Sequence, residues 1–195
     1  MGSLKKWGVE HSDNDRCYVV LYVSRNKDNK DLEGFKERRK SFICTEERLS
    51  YYGKQFDHFV EDGIPGELSR MYVSVNARSM KAVRKELLHY LIDDEEFNLC
   101  SIESKLAGVA AKASCAIEKK WLIDFDSNDR NLAMQLCNDI TTHFDNVECD
   151  IRDTPHGFAI ICSRGFDYRA IWDNWSEIAE IKKDDMHCVY WWTKD

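Results

Sequence analysis

The protein has 195 residues, of which 43% are hydrophobic and 12% aromatic, so the chain can bury one full hydrophobic core. Its formal net charge of −7 argues against a general nucleic-acid coat, because that class of protein neutralises phosphates with an excess of basic residues. The sequence contains no run of about 18 apolar residues and no apolar segment near its start that could serve as a signal peptide. We therefore expect a cytoplasmic protein without a membrane span.

Eight cysteines are scattered among apolar neighbours, without a CxxC pair or the His/Cys spacing that zinc requires. We expect them to be reduced and buried.

The first 118 residues alternate between strand and helix patterns. Residues 16–24 and 40–44 are rich in β-branched and aromatic side chains, which predicts two strands. A cluster of glycine and proline within residues 61–70 predicts a joint before the next strand. That strand leads into a helix that Ser79 can cap, and residues 101–116 predict a further, alanine-rich helix.

From residue 119 the predicted order is strand, helix, strand, strand, helix, strand. Asp129 or Ser127 can cap the first of these helices. This order is that of a ferredoxin-like or RNA-recognition-motif-like unit, a sheet with both helices on one face. The elements after that first helix are a hairpin over 146–153 and 156–164, a helix over 167–180 and a last strand over 186–192.

We thus predict an α+β protein that forms one compact domain, residues 1–195, with two lobes. Residues 1–118 form an N-terminal α/β lobe, and it packs on an RNA-recognition-motif-like lobe of residues 119–195.

Two aspartates end the strand in "KKWLIDFDSND", residues 119–129. Side chains two apart on a strand share a face, so Asp124 and Asp126 project together while Ile123 and Phe125 point to the other face. Carboxylate oxygens are preferred ligands of Mg²⁺ and Mn²⁺, although an aspartate after a strand is also often the cap of the next helix.

A third acid is available at the start of the last strand, where Asp184 and Asp185 stand together. In the predicted topology this strand lies next to the strand that carries Asp124. Three carboxylates on one face repel one another unless cations or protons intervene. The alternative is that Asp184 and Asp185 belong to a polar turn.

The succession "WLIDFD", "TPHGFAII" and "EIKKDDMHCVYW" resembles the three motifs of the archaeo-eukaryotic primase and primase-polymerase superfamily over about residues 70–192. The resemblance implies an N-terminal α/β module beside an RNA-recognition-motif-like module. It also implies metal-dependent nucleotidyl transfer with Mg²⁺ or Mn²⁺. Asp124, Asp126 and Asp185 would then be the catalytic metal ligands, with Asp184 as the alternative to Asp185.

The second motif departs from the family pattern. Relatives place a histidine after a glycine and an aromatic residue, but Gly157 and Phe158 are followed by Ala159. His156, three residues earlier, is the alternative catalytic histidine, and it can equally be an ordinary turn residue.

Cationic and polar side chains would have to hold the phosphates and the base of a nucleoside triphosphate or nucleic acid. For each of them a solvated surface charge is the alternative, and for Asn76 the cap of the following helix. The candidates are Arg78, Asn76, Lys105, Lys120 and Arg164, with Lys119 and Arg152 nearby.

Three hypotheses of function follow. The first is a metal-dependent nucleotidyl or phosphoryl transferase. The second is a catalytically degenerate nucleotide or nucleic-acid binding protein of the same fold. The third is a protein-interaction domain that uses Trp172, Trp175, Trp191 and Trp192, although such aromatic residues more often pack in a core.

Overall fold

The computed structural model describes residues 15–94 and 96–195 of the chain. The N-terminal stretch in which we expected no signal peptide lies outside these residues. No helix among the described residues combines the length and the apolar character needed to cross a membrane.

The described residues form nine strands and five α-helices, and two of the strands are very short. The strands are β1 (Arg16–Ser24), β2 (Arg38–Cys44), β3 (Leu68–Ser74), β4 (Arg78–Ser79), β5 (Trp121–Phe125), β6 (Cys149–Thr154), β7 (Gly157–Cys162), β8 (Ala179–Ile181) and β9 (Met186–Thr193). The α-helices are α1 (Asn26–Asn29), α2 (Leu49–Glu61), α3 (Met80–Asp93), α4 (Ile102–Ala110) and α5 (Arg130–His143).

The strands form two antiparallel sheets, which confirms the α+β class. The first sheet has the order β2-β1-β3-β9, with β4 beside β1, and the second has the order β6-β7-β5-β8. The predicted caps are also confirmed: the Ser79 side chain accepts a hydrogen bond from the Ala82 N–H, and the Asp129 side chain accepts one from the Asn131 N–H.

Helices cover both faces of the first sheet. On one face, Phe56 of α2 packs with Val20 and Phe42 in a shared core. On the other face, Val83 of α3 and Ala107 of α4 pack against Val19. Successive side chains of β1 point to opposite faces of the sheet, so this one strand contributes to both cores.

Helix α5 covers only one face of the second sheet. Ile123 and Phe125 of β5 pack there against Leu136 and Ile140 of α5. The opposite face meets the first sheet through a small apolar cluster of Val75, Leu122, Ala159 and Ile161.

The last strand is not where the sequence pattern predicted it. After β8 the chain stays beside β5 as far as Lys183, whose carbonyl accepts a hydrogen bond from the Leu122 N–H. It then crosses to the first sheet, where β9 pairs with β3. The prediction that the last strand neighbours the strand of Asp124 is therefore wrong, because β8 takes that place.

The prediction of a helix over residues 167–180 is also wrong. Two short 3-10 turns, Tyr168–Ala170 and Trp172–Asn174, occupy this segment. They still bring Ile171 and Trp175 into the core beneath β5. The apolar residues that suggested one face of a helix are therefore buried, although no continuous helix forms.

Candidate functional site

Four side chains form a row across the second sheet on the face away from α5. Asp124 of β5 lies directly opposite Ala159 of β7 on one side and Glu180 of β8 on the other. Ala159 in turn lies opposite Arg152 of β6. Residues directly opposite each other in an antiparallel sheet share a face, so this row places two carboxylates side by side.

Lys182 stands between the two carboxylates. Its Nζ lies 2.9 Å from Asp124 Oδ2 and 3.5 Å from Glu180 Oε2. The hydrogen bond to Asp124 raises the pKa of Lys182 above its usual value, so the ammonium form is favoured. An ammonium thus occupies the position between Asp124 and Glu180 that a metal ion would need.

Glu180 is the acid that sequence reasoning missed. It projects to the exposed face of β8, whose neighbours Ala179 and Ile181 are packed against the core. This alternation is the signal of a strand, but a strand of three residues gives too short a pattern to be recognised.

Asp126 lies one residue beyond β5 and its side chain is exposed, while its backbone N–H donates to Ile178 O. Asp126 therefore lies past the end of the strand, and the pairing of β5 does not fix its side chain on the face of Asp124. In residues 15–94 and 96–195, no three His, Cys, Asp or Glu side chains form a group that could hold a metal ion.

Asp184 and Asp185 do not extend the strand beside Asp124, as the prediction required. Asp184 Oδ1 and Oδ2 accept hydrogen bonds from Arg78 Nη2 at 2.9 Å and Nη1 at 2.7 Å. Asp185 is exposed, and its Oδ1 accepts a hydrogen bond from the Met186 N–H. The crossing of the chain to β3 explains both positions.

Arg78 and Asn76 are structural residues of the junction between the sheets. Arg78 is only 2% exposed and forms the ion pair with Asp184. Asn76 is 1% exposed, and its amide binds the backbone N–H and carbonyl of Lys120 as well as the Asp184 carboxylate. These internal partners argue against the expectation that Arg78 and Asn76 hold the phosphates and the base of a nucleotide.

The other expected phosphate ligands are dispersed. Lys105 lies on α4 with its Nζ 3.3 Å from the centre of the Tyr90 ring. Lys120 Nζ lies 2.9 Å from Glu118 Oε2, and Arg164 is exposed beyond the end of β7. The structure therefore does not gather these cations around Asp124.

His156 lies in the two-residue turn between β6 and β7, where Thr154 pairs with Gly157. It is exposed, and its Nε2 is 3.8 Å from Asp28 Oδ1 of α1. Gly157 has a φ of +150°, and a Cβ there would lie 2.1 Å from Phe125 O. Only glycine fits this close approach, so the turn is held tightly against the end of β5.

A buried histidine adjoins the row of four residues. Arg152 Nη1 lies 3.1 Å from His187 Nε2, and the same guanidinium binds Asp150 Oδ2. Because a guanidinium only donates, Nε2 is the accepting nitrogen of a neutral imidazole. Burial first, and the charge of Arg152 second, lower the pKa of His187 to about 3.

The tryptophans divide between the core and the surface. Trp175 is buried, and its Nε1 donates a hydrogen bond to Asp139 Oδ2. Trp191 and Trp192 of β9 are 38% and 60% exposed, so neither shows the core packing that is more usual for aromatic residues.

Comparison with known proteins gives no match to a protein-family model, to a curated protein or to a solved structure.

Proposed function

We propose that this protein binds nucleotides or nucleic acid through the part of the second sheet's Asp124 face that carries Asp124, Glu180 and Lys182. Its fold would be primase-polymerase-like, with Lys182 in the place of the catalytic metal. This is the second of the hypotheses above, a catalytically degenerate binding protein. Under this proposal the protein does not transfer nucleotides.

The strand order of the second sheet supports this fold. In a ferredoxin-like unit the first and third strands are central and the second and fourth lie at the edges, all antiparallel. The order β6-β7-β5-β8 follows this arrangement with α5 on one face. The departure is the second helix, which is replaced by 3-10 turns.

The observation that carries the loss of catalysis is the contact of Lys182 with Asp124 and Glu180. Two neighbouring carboxylates need a cation, and here the chain supplies it as an ammonium group. A divalent ion would have to displace Lys182 and would still lack a third protein carboxylate within the described residues. The small side chain of Ala159 opposite Asp124 agrees with a site that has lost its histidine.

Binding of phosphate by this face depends on its cations. Lys182 and Arg152 lie on the same face of the sheet, on either side of the Asp124 position. Phosphate oxygens form charge-assisted hydrogen bonds with such cations without any metal.

Metal-dependent nucleotidyl transfer is the second candidate. It is favoured by the placement of Asp124 and Glu180 on adjacent strands, with Asp126 exposed just beyond. Two-metal catalysis requires carboxylates that converge in this way, and substrate phosphates could complete the coordination.

Calorimetric titration with a nucleoside triphosphate and with single-stranded DNA, each in chelator and in Mn²⁺, separates these functions. We expect binding that is unchanged by chelator and that weakens about tenfold in Lys182→Ala, the usual effect of losing a charge-assisted hydrogen bond. Lys54→Ala is the matched control, because it removes an exposed lysine from α2, away from the second sheet.

A primer-extension assay with the same preparations gives the second measurement. Incorporation of nucleotide that requires Mn²⁺ would show a transferase and overturn the degenerate assignment. Failure to bind either ligand would overturn both candidates and leave the exposed Trp191 and Trp192 as the basis of an interaction domain.

A further inference from the structure

Three cysteine side chains meet at the edge of the second sheet, on the face that packs against α5. They come from three elements: Cys137 from α5, Cys149 from β6 and Cys162 from β7. Cys162 is fully buried, whereas Cys137 and Cys149 are part-exposed. The cluster is therefore reached from solvent through Cys149 or Cys137.

Cys149 and Cys162 are direct partners across the β6–β7 ladder, and their sulfur atoms are 3.8 Å apart. Directly opposed residues in an antiparallel pair have Cα atoms about 4.5–5.5 Å apart. This range lies within the roughly 4.4–6.8 Å that disulfides span. Rotation of the two side chains brings the sulfur atoms to bonding distance without any change of register.

Cys149 differs from the other cysteines in its ionisation. The Cys137 thiol first, and the Cys162 thiol second, donate hydrogen bonds that lower the pKa of Cys149. Burial instead raises the pKa of Cys17, Cys44 and Cys188. Because the thiolate is the nucleophile of cysteine chemistry, Cys149 is the residue in this cluster that reacts first.

We propose that Cys149 and Cys162 are a peroxide-sensitive pair that closes a reversible disulfide across β6 and β7. The inference is independent of the function proposed above, because it rests on the opposite face of the sheet.

The reaction balances with one hydroperoxide as the oxidant. The Cys149 thiolate attacks the terminal peroxide oxygen, the O–O bond breaks, and Cys149 becomes a sulfenic acid. The other peroxide oxygen leaves as an alkoxide, or as hydroxide from hydrogen peroxide, and takes up the proton that the Cys149 thiol had released on ionisation. The Cys162 sulfur then attacks the Cys149 sulfur, the S–O bond breaks, and the hydroxyl leaves as water with the proton of the Cys162 thiol. Two thiols are oxidised, and for hydrogen peroxide one equivalent is reduced to two waters.

The disulfide would tie an edge strand to its neighbour. Among the strands that the structure describes, β6 pairs only with β7, and it carries Arg152 on its other face. A covalent link at Cys149 fixes the strand that positions this guanidinium. A thiol reductant reverses the link.

Peptide mapping of the full chain tests the proposal. The protein is treated with hydrogen peroxide, its remaining thiols are alkylated, and its peptides are identified by mass spectrometry before and after reduction. We expect two of the eight cysteines to escape alkylation and the Cys149 and Cys162 peptides to be joined, with a mass loss of two hydrogen atoms. Peptides in which Cys149 is joined to Cys137, or in which no cross-link forms, would overturn the pairing.

Variants add an independent check. Cys149→Ser should abolish the cross-link, and Cys162→Ala should leave a Cys149 sulfenic acid that a dimedone-type reagent labels. Cys100→Ser is the control, because Cys100 is exposed and lies outside the cluster, and it should leave the cross-link unchanged. Oxidation of Cys100 in preference to Cys149 in the unmodified protein would overturn the assignment of Cys149 as the reactive thiol. Circular dichroism verifies that each variant is folded, and the mapping of the unmodified protein does not depend on them.

Discussion

Arg78 and Asp184 form a bidentate ion pair that joins β4 to the loop between β8 and β9, with N···O distances of 2.7 and 2.9 Å. The Asn76 amide binds the same carboxylate at 3.0 Å. The three side chains make a polar junction at the point where the chain crosses from β8 to β9.

Arg78→Ala should destabilise the fold. The change leaves Asp184 without its cation and opens a cavity at a side chain that is 2% exposed. Removal of one partner of a buried pair costs about 3–5 kcal/mol. Because Asp184 is part-exposed, we expect the free energy of unfolding to fall by about 3 kcal/mol, the lower end of this range. Urea denaturation measures it.

The control is Arg84→Ala on the exposed side of α3, where a change within about 0.5 kcal/mol is expected. If Arg78→Ala were instead as stable as the unmodified protein but bound a triphosphate more weakly, Arg78 would belong to the ligand site.

Lys182→Met should give the second sheet a higher affinity for Mn²⁺ than the unmodified protein has. The change removes the ammonium between Asp124 and Glu180 and leaves two adjacent carboxylates without a counter-ion. Thermal shift at increasing Mn²⁺ measures the gain, since a ligand that binds the folded state raises the midpoint by mass action. Lys119→Met carries the same change of net charge and should show no such shift. Equal responses of the two variants would refute the idea that Lys182 replaces a metal.

Stability should fall as the pH is lowered from about 6.5, and His187 should cause part of the fall. Burial lowers the pKa of His187 to about 3 in the folded state, so between these two pH values the unfolded chain binds the extra proton. Unfolding free energy therefore rises with pH in this window, by up to about 1.4 kcal/mol per pH unit for one group, and the contribution is constant above it.

Urea denaturation at several pH values, with His187→Gln beside the unmodified protein, measures this slope. The variant should show a flatter acid branch, whereas His89→Gln on the exposed face of α3 should leave the slope unchanged. A slope unaltered by His187→Gln would show that the imidazole is protonated in the folded state.

Gly157→Ala should be among the most damaging single changes in the second sheet. A Cβ at this position would meet Phe125 O at 2.1 Å, and the φ of +150° is unfavourable for any other residue. Gly108→Ala is the matched control, because no atom lies within 4 Å of its added Cβ and the helix gains from alanine. The expected result is a large loss of thermal midpoint for the first variant and an equal or higher midpoint for the second. Similar midpoints would mean that the β6–β7 turn relaxes at no cost.

Local features of the chain were predictable from the sequence, and pairings between distant segments were not. The caps Ser79 and Asp129 were recognisable because each precedes an amphipathic helix and needs only its own neighbours. The partner of β9 depends instead on where the chain crosses after Lys183, which no local pattern specifies. The segment 167–180 has helical apolar spacing, but Asp173, Asn174 and Ser176 are poor helix formers.

The candidate site was predictable in the same limited way. Asp124 was identified because a carboxylate that ends an apolar run stands out in the sequence. Glu180 and Lys182 could not be assigned to it, since their roles arise only when β8 pairs with β5. Arg78 was mistaken for a ligand of phosphate because its burial depends on Asp184, far along the chain.

The position of β9 has a consequence for how the protein is made on the ribosome. Strand β3 lies between β1 and β9, so one of its edges stays unpaired until the whole second sheet has been synthesised. Pairings over such sequence separations form slowly, and an open strand edge is a template for association with other chains. During the translation of residues 75–185 the first sheet is therefore incomplete, and the free edge of β3 is open to pairing with strands other than β9.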